Sequence, residues 1–264
     1  MSFVDSVVAQ VLGLEVSFHH AYARLACRTD GEALHDLRIS VRKLRSLLRP
    51  MRRLDAPRGL DAAAADVGRL TTPVRDLEVL IGELDRQGFH FQAARRRALV
   101  ESSYATIVES STVQRFVVVL DEWPARMRQA EREGELESLR DRVRVRLQRQ
   151  LGRLRQALAD PQFDRHVLRL LVKRMRYAHE TYPKISPISG EAANALKKVQ
   201  SALGDWHDHF QWCLKADQEQ DLLVLKDRWE IAAEAELKAA EVELLILAEC
   251  LELDTAPAAR ADSI

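Results

Sequence analysis

Basic side chains recur at helical spacing in the stretch from residue 34 to residue 49. If this stretch is a helix with about 100° per residue, its apolar residues fall in one sector about 80° wide. A second sector, about a quarter turn away, carries a row of cations: His35, Arg38, Arg42, Arg45 and Arg49. At about 1.5 Å per residue, the arginines span roughly 16 Å. Because like charges three or four residues apart repel one another, the row indicates a site for an anion or an acidic partner.

The same pattern occurs a second time. Residues 166–176 match residues 35–45 position for position, and each copy begins with a histidine. The basic members of the second copy are His166, Arg169, Lys173, Arg174 and Arg176, and Lys43 completes the basic pair of the first. A single basic helix is compatible with a solvated face whose arginine stems cover the core. The repetition, together with the forked donors that arginine offers to phosphate oxygens, favours an anion site.

A further pair of motifs supports an internal repeat. Arg75-Asp76 aligns with His207-Asp208 at nearly the same offset as the two basic stretches. Two motifs in the same order and at nearly equal offsets predict a duplicated structure. We expect Asp76 and Asp208 to pair with arginines of the basic motifs and to hold them in place.

The elements that position these residues are predicted to be helices. Glycine (10 residues) and proline (8) are scarce among the 264 residues, and period-two runs of β-branched residues are nearly absent, as is typical of an all-α protein. The repeat predicts two pseudo-symmetric helical bundles, at about residues 3–132 and 135–253, with a boundary near Gly134. Residues 254–264 are expected to form a frayed tail.

Proline, glycine and capping residues predict the helix ends. We expect helices at residues 3–27, 30–54, 60–84, 91–109, 113–120, 135–159, 163–182, 190–203 and 206–253. Ser189 is a plausible N-cap. The segment 55–59 and the pair Gly204-Asp205 are predicted to interrupt the helices, Trp123-Pro124 marks a boundary or a first-turn proline, and Pro73 predicts a kink or a restart.

Charge is segregated along a chain whose formal net charge is zero. From Arg38 to Leu54 the basic residues occur without any acid, whereas residues 217–254 carry twelve acids against three bases. A third basic row lies at heptad spacing between these regions: Arg142, Arg146, Arg149 and Arg153. The distribution predicts local anion binding rather than indiscriminate coating of nucleic acid.

The histidines offer further chemistry. Because histidine titrates near neutrality, His35 and His166 are conceivable general acids or phosphoryl carriers. Without a paired carboxylate or nucleophile at a defined spacing, contact with an anion is the favoured role. His207 and His209 are two residues apart and point to different sides of a helix, so we predict no metal site there. His19 and His20 belong to no pattern.

Several classes of protein are disfavoured. The sequence has no glycine-rich nucleotide loop, so no cofactor is expected, and it lacks the closely spaced acids of a triphosphate-hydrolysing metal site. Its three cysteines do not have the spacing of a zinc site or a redox pair, which is typical of a cytoplasmic protein with reduced thiols. Neither a signal peptide nor a membrane-spanning stretch is predicted. Nucleic acid stays an alternative, although base stacking needs aromatic residues and Tyr177 is the only central one on the basic helices.

The doubled signature resembles the CHAD family, named for its conserved histidine α-helical domain. The resemblance covers about residues 4–250 and rests on the two basic motifs, on Arg75-Asp76, and on residues 203–205 with Asp208. It implies two pseudo-symmetric helical bundles with a basic surface between them, and binding of inorganic polyphosphate without catalysis by the domain. Family members occur alone or fused to a triphosphate-hydrolase tunnel domain, and some associate with storage granules in bacteria.

Carried over by position, the resemblance implies a set of polyphosphate ligands. In the first half these are His35, Arg38, Arg42, Lys43, Arg45 and Arg49. In the second half they are His166, Arg169, Lys173, Arg174 and Arg176, with Lys197 or Lys198 reaching in from the next helix. Supporting positions are Arg75, Asp76, Asp208, Tyr177 and the third basic row. His207 stands where the first half has Arg75, so the two halves differ at this position.

The sequence thus predicts a standalone, non-enzymatic protein that binds inorganic polyphosphate or another polyanion, in the cytoplasm or at polyphosphate or storage granules. The alternatives are an enzyme acting on phosphate chains, a scaffold or granule-surface protein that docks through its acidic segment, and a nonspecific binder of nucleic-acid phosphates.

Overall fold

The computed structural model describes residues 2–253, which form nine α-helices and no strand. The helices are α1 (Phe3–Cys27), α2 (Ala33–Leu48), α3 (Asp55–Arg86), α4 (His90–Glu109), α5 (Ser111–Arg132), α6 (Leu139–Leu158), α7 (Arg165–Thr181), α8 (Gly190–Ala216) and α9 (Leu223–Leu253). Two 3₁₀ turns cover Arg49–Met51 and Gln220–Leu222. The all-α prediction is confirmed, whereas the tail predicted at residues 254–264 lies outside the described residues.

The chain divides into two compact units between Val143 and Arg144, inside α6. The turn before α6 is a Schellman motif, in which Gly134 takes a left-handed φ of 79°. The Gly134 and Glu135 amides donate to the Glu131 and Ala130 carbonyls, at 3.1 and 3.0 Å. Gly134, expected at the boundary of the halves, therefore ends α5 and lies within the first unit. The internal duplication itself stays a prediction.

In the first unit, α2 packs against both α1 and α3. The apolar stripe predicted for α2 is buried: Leu34, Leu37, Val41, Leu44 and Leu48. Burial of this stripe turns the neighbouring basic sector toward α3 and solvent. The spacing therefore predicted both faces of α2 correctly.

In the second unit, α6, α7, α8 and α9 share one apolar core. Leu154, Val172, Leu203 and Leu247, one from each helix, have no exposed surface. Asp164 and Ser189 cap α7 and α8 by accepting hydrogen bonds from the amides of Val167 and Ala192. The Ser189 cap is the one predicted from the sequence.

Several predicted helix ends were wrong. Helix α2 ends at Leu48 rather than near Leu54, because Pro50 has no amide hydrogen to extend the helical ladder. Segment 55–59 begins α3 instead of interrupting the helices. Pro57 lies in the first turn of α3, where its missing donor has no intrahelical partner to lose.

Tertiary packing carries other helices through residues expected to stop them. Helix α5 continues past Pro124 to Arg132 because Trp123 and Met127 are buried in the core. Helix α3 likewise runs through Pro73, and α8 runs through Gly204-Asp205 to Ala216. The long helix expected from residue 206 is instead broken at residues 217–222.

Candidate functional site

Arg38 on α2 is fixed to α3 in the first unit. Its Nη1 atom donates to the Gly68 carbonyl at 3.2 Å and to the Oγ1 atoms of Thr71 and Thr72 at 2.7 and 3.0 Å. Burial lowers the pKa of the Arg38 guanidinium, and the nearby Asp76 carboxylate opposes this shift. An arginine remains protonated in such a setting. These three acceptors are neutral, so the hydrogen bonds position the positive charge without cancelling it.

The other basic side chains of the α2 motif differ in their contacts with α3 and in their exposure. Arg45 donates from Nε to the Asp61 carboxylate of α3 at 3.2 Å. Arg42 is half-buried, and Lys43 is exposed. Arg49 is also half-buried, but it lies in the 3₁₀ turn after α2 rather than on the helix that was predicted to carry it. Arg38 and Arg45 are thus anchored to α3, and Lys43 faces solvent.

His35, the first residue of this row, lies in a positive electrostatic field. Burial is the largest cause that lowers its pKa, followed by the charge of Arg75 and, more weakly, Arg42. Glu32 and Asp36 act in the opposite direction. The neutral imidazole is therefore favoured, and an anion bound nearby would relieve the repulsion that disfavours its protonated form.

Arg75 is held by an acidic residue that sequence reasoning missed. Its Nη1 atom donates to Oε2 of Glu78 at 2.7 Å, and the Tyr104 hydroxyl of α4 donates to Oε1 of the same carboxylate at 2.5 Å. Burial and this hydrogen bond raise the pKa of Tyr104 well above its usual range. Arg75 and Glu78 are three residues apart, a spacing that would have suggested the pair.

In the second unit, His166 of α7 faces His207 of α8. Their Nδ1 atoms lie 3.1 Å apart. The His166 ring also packs against Trp206 and Phe210, with centroid distances of 4.4 and 4.7 Å. Since one nitrogen has to donate and the other to accept, the pair requires complementary protonation of the two rings.

Cations of α7 act on this histidine pair. The pKa of His207 is lowered to about 4, chiefly by burial and then by the charges of Arg169, His166 and Lys173. Arg169 and Lys173 are both half-buried. Arg169 and Lys173, the first two cations after His166 in the motif, thus create a positive field at His207. Arg75 and Arg42 do the same at His35 in the first unit.

The remaining residues of the second set differ in their availability. Arg176 donates twice to the Glu180 carboxylate, at 2.9 and 2.7 Å, and lies over the buried Tyr177 ring at 4.9 Å. Arg174 is exposed on α7, and Lys197 and Lys198 are exposed on α8. The acid at position 180 therefore offsets Arg176, whereas these three side chains face solvent.

The third basic row on α6 and the acidic residue after His207 were also predicted to support the site. On α6, Arg142 donates to the Glu135 carbonyl at 2.6 Å, Arg146 is half-buried, and Arg149 and Arg153 are exposed. Asp208 is half-buried. His209 contacts the Glu236 carboxylate of α9 at 2.7 Å, so His207 and His209 do point toward different helices, as predicted.

Two further properties concern membrane-spanning segments and the cysteines. Within residues 2–253, no helix combines the length and the apolarity needed to cross a bilayer. Cys27, Cys213 and Cys250 are not joined in disulfide bonds.

Comparison with known proteins points to one family. The sequence profile of the CHAD domain matches residues 15–214. A solved structure, the crystal structure of the CHAD domain from the plant Ricinus communis, superposes with a TM-score of 0.63 at 17% sequence identity, over 96% of this chain and 92% of that one. At this identity the structural match shows a shared fold. The search of curated proteins gave no significant match.

Proposed function

The chain belongs to the CHAD domain family, and we propose that it binds inorganic polyphosphate, without catalysis, through the basic faces of α2 and α7. One observation carries the proposal: in each unit a half-buried histidine lies close to cationic side chains, His35 near Arg75 and Arg42 in the first unit and His207 near Arg169 and Lys173 in the second, and burial followed by these charges lowers its pKa. A chain of phosphates supplies a regular row of negative charge, and its binding releases condensed counterions.

The aromatic residues favour a ligand without bases. Trp206 and Tyr177 lie beside the basic residues of the second unit, but both are buried, with 7% and 8% of their surface exposed. Sequence-independent binding of single-stranded nucleic acid relies on bases that stack on accessible aromatic rings. Apart from half-buried Phe210, the accessible side chains beside these residues are therefore mainly cationic, which suits a ligand that presents only phosphate.

The deciding experiment is titration of the full chain with labelled polyphosphate, competed with RNA at equal phosphate concentration and at two salt concentrations. We expect the double charge reversal Arg42→Glu and Lys173→Glu to abolish binding while circular dichroism stays helical. Arg132→Glu with Lys238→Glu is the matched control, because it changes the net charge equally at one exposed position in each unit. Unchanged affinity in the first variant contradicts the site, and stronger competition by RNA contradicts the ligand.

Half-buried Arg42 tolerates a carboxylate poorly, so the neutral pair Arg42→Gln and Lys173→Gln provides a milder variant. We expect it to weaken binding at least tenfold. The absence of catalysis is tested separately: pure protein incubated with polyphosphate and Mg²⁺ or Mn²⁺ should release no phosphate. Release that tracks the protein through purification would instead indicate a phosphate-chain hydrolase.

A second candidate function is docking of a protein, at a granule surface or elsewhere, on α9. This acidic helix exposes the large apolar side chains of Val224, Ile231, Val242 and Leu245. Exposed apolar residues among polar ones are typical of interaction surfaces. Granule localisation that persists in cells unable to make polyphosphate would favour this alternative.

A further inference from the structure

Three side chains capable of binding a metal meet in the first unit, outside the basic rows. Glu15 and His19 lie one turn apart on α1, and Asp121 lies on α5. One ligand atom from each residue lies within 4.8 Å of the others. Among residues 2–253, no other group of three histidine, cysteine or acidic side chains brings its ligand atoms this close together.

The core fixes the two helices beside this cluster. Phe18, next to His19, packs edge-to-face on Phe116 of α5 with a centroid distance of 4.9 Å. Both rings are 1% exposed, and Leu120, next to Asp121, is equally buried. The backbone that carries the three side chains is therefore held by close packing, and only side-chain rotation is needed to bring their ligand atoms together.

The charges in the cluster favour a cation. Two carboxyl groups, those of Glu15 and Asp121, meet beside the His19 imidazole, whose Nε2 atom lies 3.9 Å from Oδ1 of Asp121. Two carboxylates in contact repel one another when both are ionised, and a cation between them relieves that repulsion. The side chains of His19 and Asp121 are 45% and 56% exposed, so an ion can enter from solvent.

We propose that Glu15, His19 and Asp121 bind a divalent transition-metal ion, foremost Zn²⁺, which joins α1 to α5. Imidazole nitrogen and carboxylate oxygen are both ligands of Zn²⁺, and three protein ligands leave the fourth position of its tetrahedron for water. The nitrogen ligand disfavours Mg²⁺ and Ca²⁺, which prefer oxygen. The site is independent of polyphosphate, because none of its residues belongs to the basic rows.

The test is a calorimetric titration of the full chain with Zn²⁺ in phosphate-free buffer, paired with thermal unfolding. We expect the wild type to bind one Zn²⁺ per chain. His19→Ala should abolish this binding or weaken its affinity at least tenfold. His20→Ala is the matched control, because this exposed neighbour lies on the same helix outside the cluster. In the wild type, Tm should rise with Zn²⁺ concentration, since the ion binds the folded chain.

Two further variants separate loss of the site from loss of the fold. Glu15→Gln and Asp121→Asn should each abolish the Zn²⁺-dependent rise in Tm, yet leave the metal-free Tm unchanged or higher, because they remove the repulsion between carboxylates. All three variants should bind polyphosphate like the wild type. The proposal is overturned if His19→Ala keeps the wild-type affinity for Zn²⁺, or if Mg²⁺ raises Tm as much as Zn²⁺ does.

Discussion

The Nδ1 atoms of His166 and His207 lie 3.1 Å apart, so the two imidazoles share a hydrogen bond and cannot both carry a proton on these nitrogens. This relationship links the basic helix α7 to α8 at the point where the charges of Arg169 and Lys173 act on His207. Protonation of the pair is therefore coupled both to folding and to any anion that binds there.

The first prediction concerns stability against pH. The pKa of His207 is lowered from 6.5 to about 4 in the folded chain. As the pH falls from about 6.5 to 4, the unfolded chain takes up this proton first, so the free energy of unfolding decreases. His207→Gln should flatten this part of the profile, measured by urea denaturation at several pH values, and His20→Gln should leave it unchanged. Parallel wild-type and His207→Gln profiles would contradict the burial of this histidine.

Polyphosphate should reduce the lowering of the His207 pKa. A bound anion offsets the charges of Arg169 and Lys173, so we expect the pKa of His207 to rise above about 4 when the ligand is saturating. By linkage, affinity should increase as the pH falls through the raised pKa toward 4. Side-chain NMR titration of the histidines with and without polyphosphate measures the effect. An unchanged pKa for His207 would place the ligand elsewhere.

Salt dependence gives an independent measure of the contacts. The logarithm of the affinity should fall linearly with the logarithm of the salt concentration, because each neutralised phosphate releases counterions. Arg42→Gln and Lys173→Gln should each reduce the slope by about one. Lys238→Gln on α9 is the control and should keep the full slope. A slope that no single variant changes would indicate a diffuse field rather than defined contacts.

Arg38 should contribute to stability as well as to charge. Arg38→Gln removes the hydrogen bonds to Gly68, Thr71 and Thr72, because glutamine is too short to reach them. A hydrogen bond to a charged group contributes roughly 1.5–3 kcal/mol net of water, and all three contacts share one Nη1 atom, so we expect a loss of about 2 kcal/mol in unfolding free energy. Exposed Lys43→Gln should stay within about 0.5 kcal/mol. If Arg38→Gln and Lys43→Gln lower the free energy of unfolding equally, α2 is held by its apolar stripe alone.

Periodicity alone was enough to predict the faces of α2. Leu37 and Leu44 had to be buried together because they lie on one stripe, and the stripe determined the direction of Arg38 and Arg45. Helix ends were harder to predict, because a proline or glycine indicates only the local free-energy cost of continuing the helix. It does not indicate whether tertiary packing compensates for that cost. Trp123 beside Pro124 is buried deeply enough that its packing outweighs the lost hydrogen bond.

Apart from Asp76, whose charge acts on Arg38, the partners that α3 supplies to the basic row could not be predicted. Thr71 and Asp61 hold Arg38 and Arg45 from α3, and no local spacing relates these residues. The repeat did align His207 with Arg75, and in the structure each acts on the leading histidine of its own unit. The position was therefore predictable, but the direct contact between two imidazoles was not.

The division of the chain inside α6 also has a practical consequence for anyone who wishes to produce one half alone. Leu136, Leu139 and Val143 are buried and precede the division between the two units. A fragment that stops at the glycine turn would lack these three buried side chains, although all three belong to the first unit. Expression of the amino-terminal half should therefore extend through Val143 and retain at least the first turn of α6.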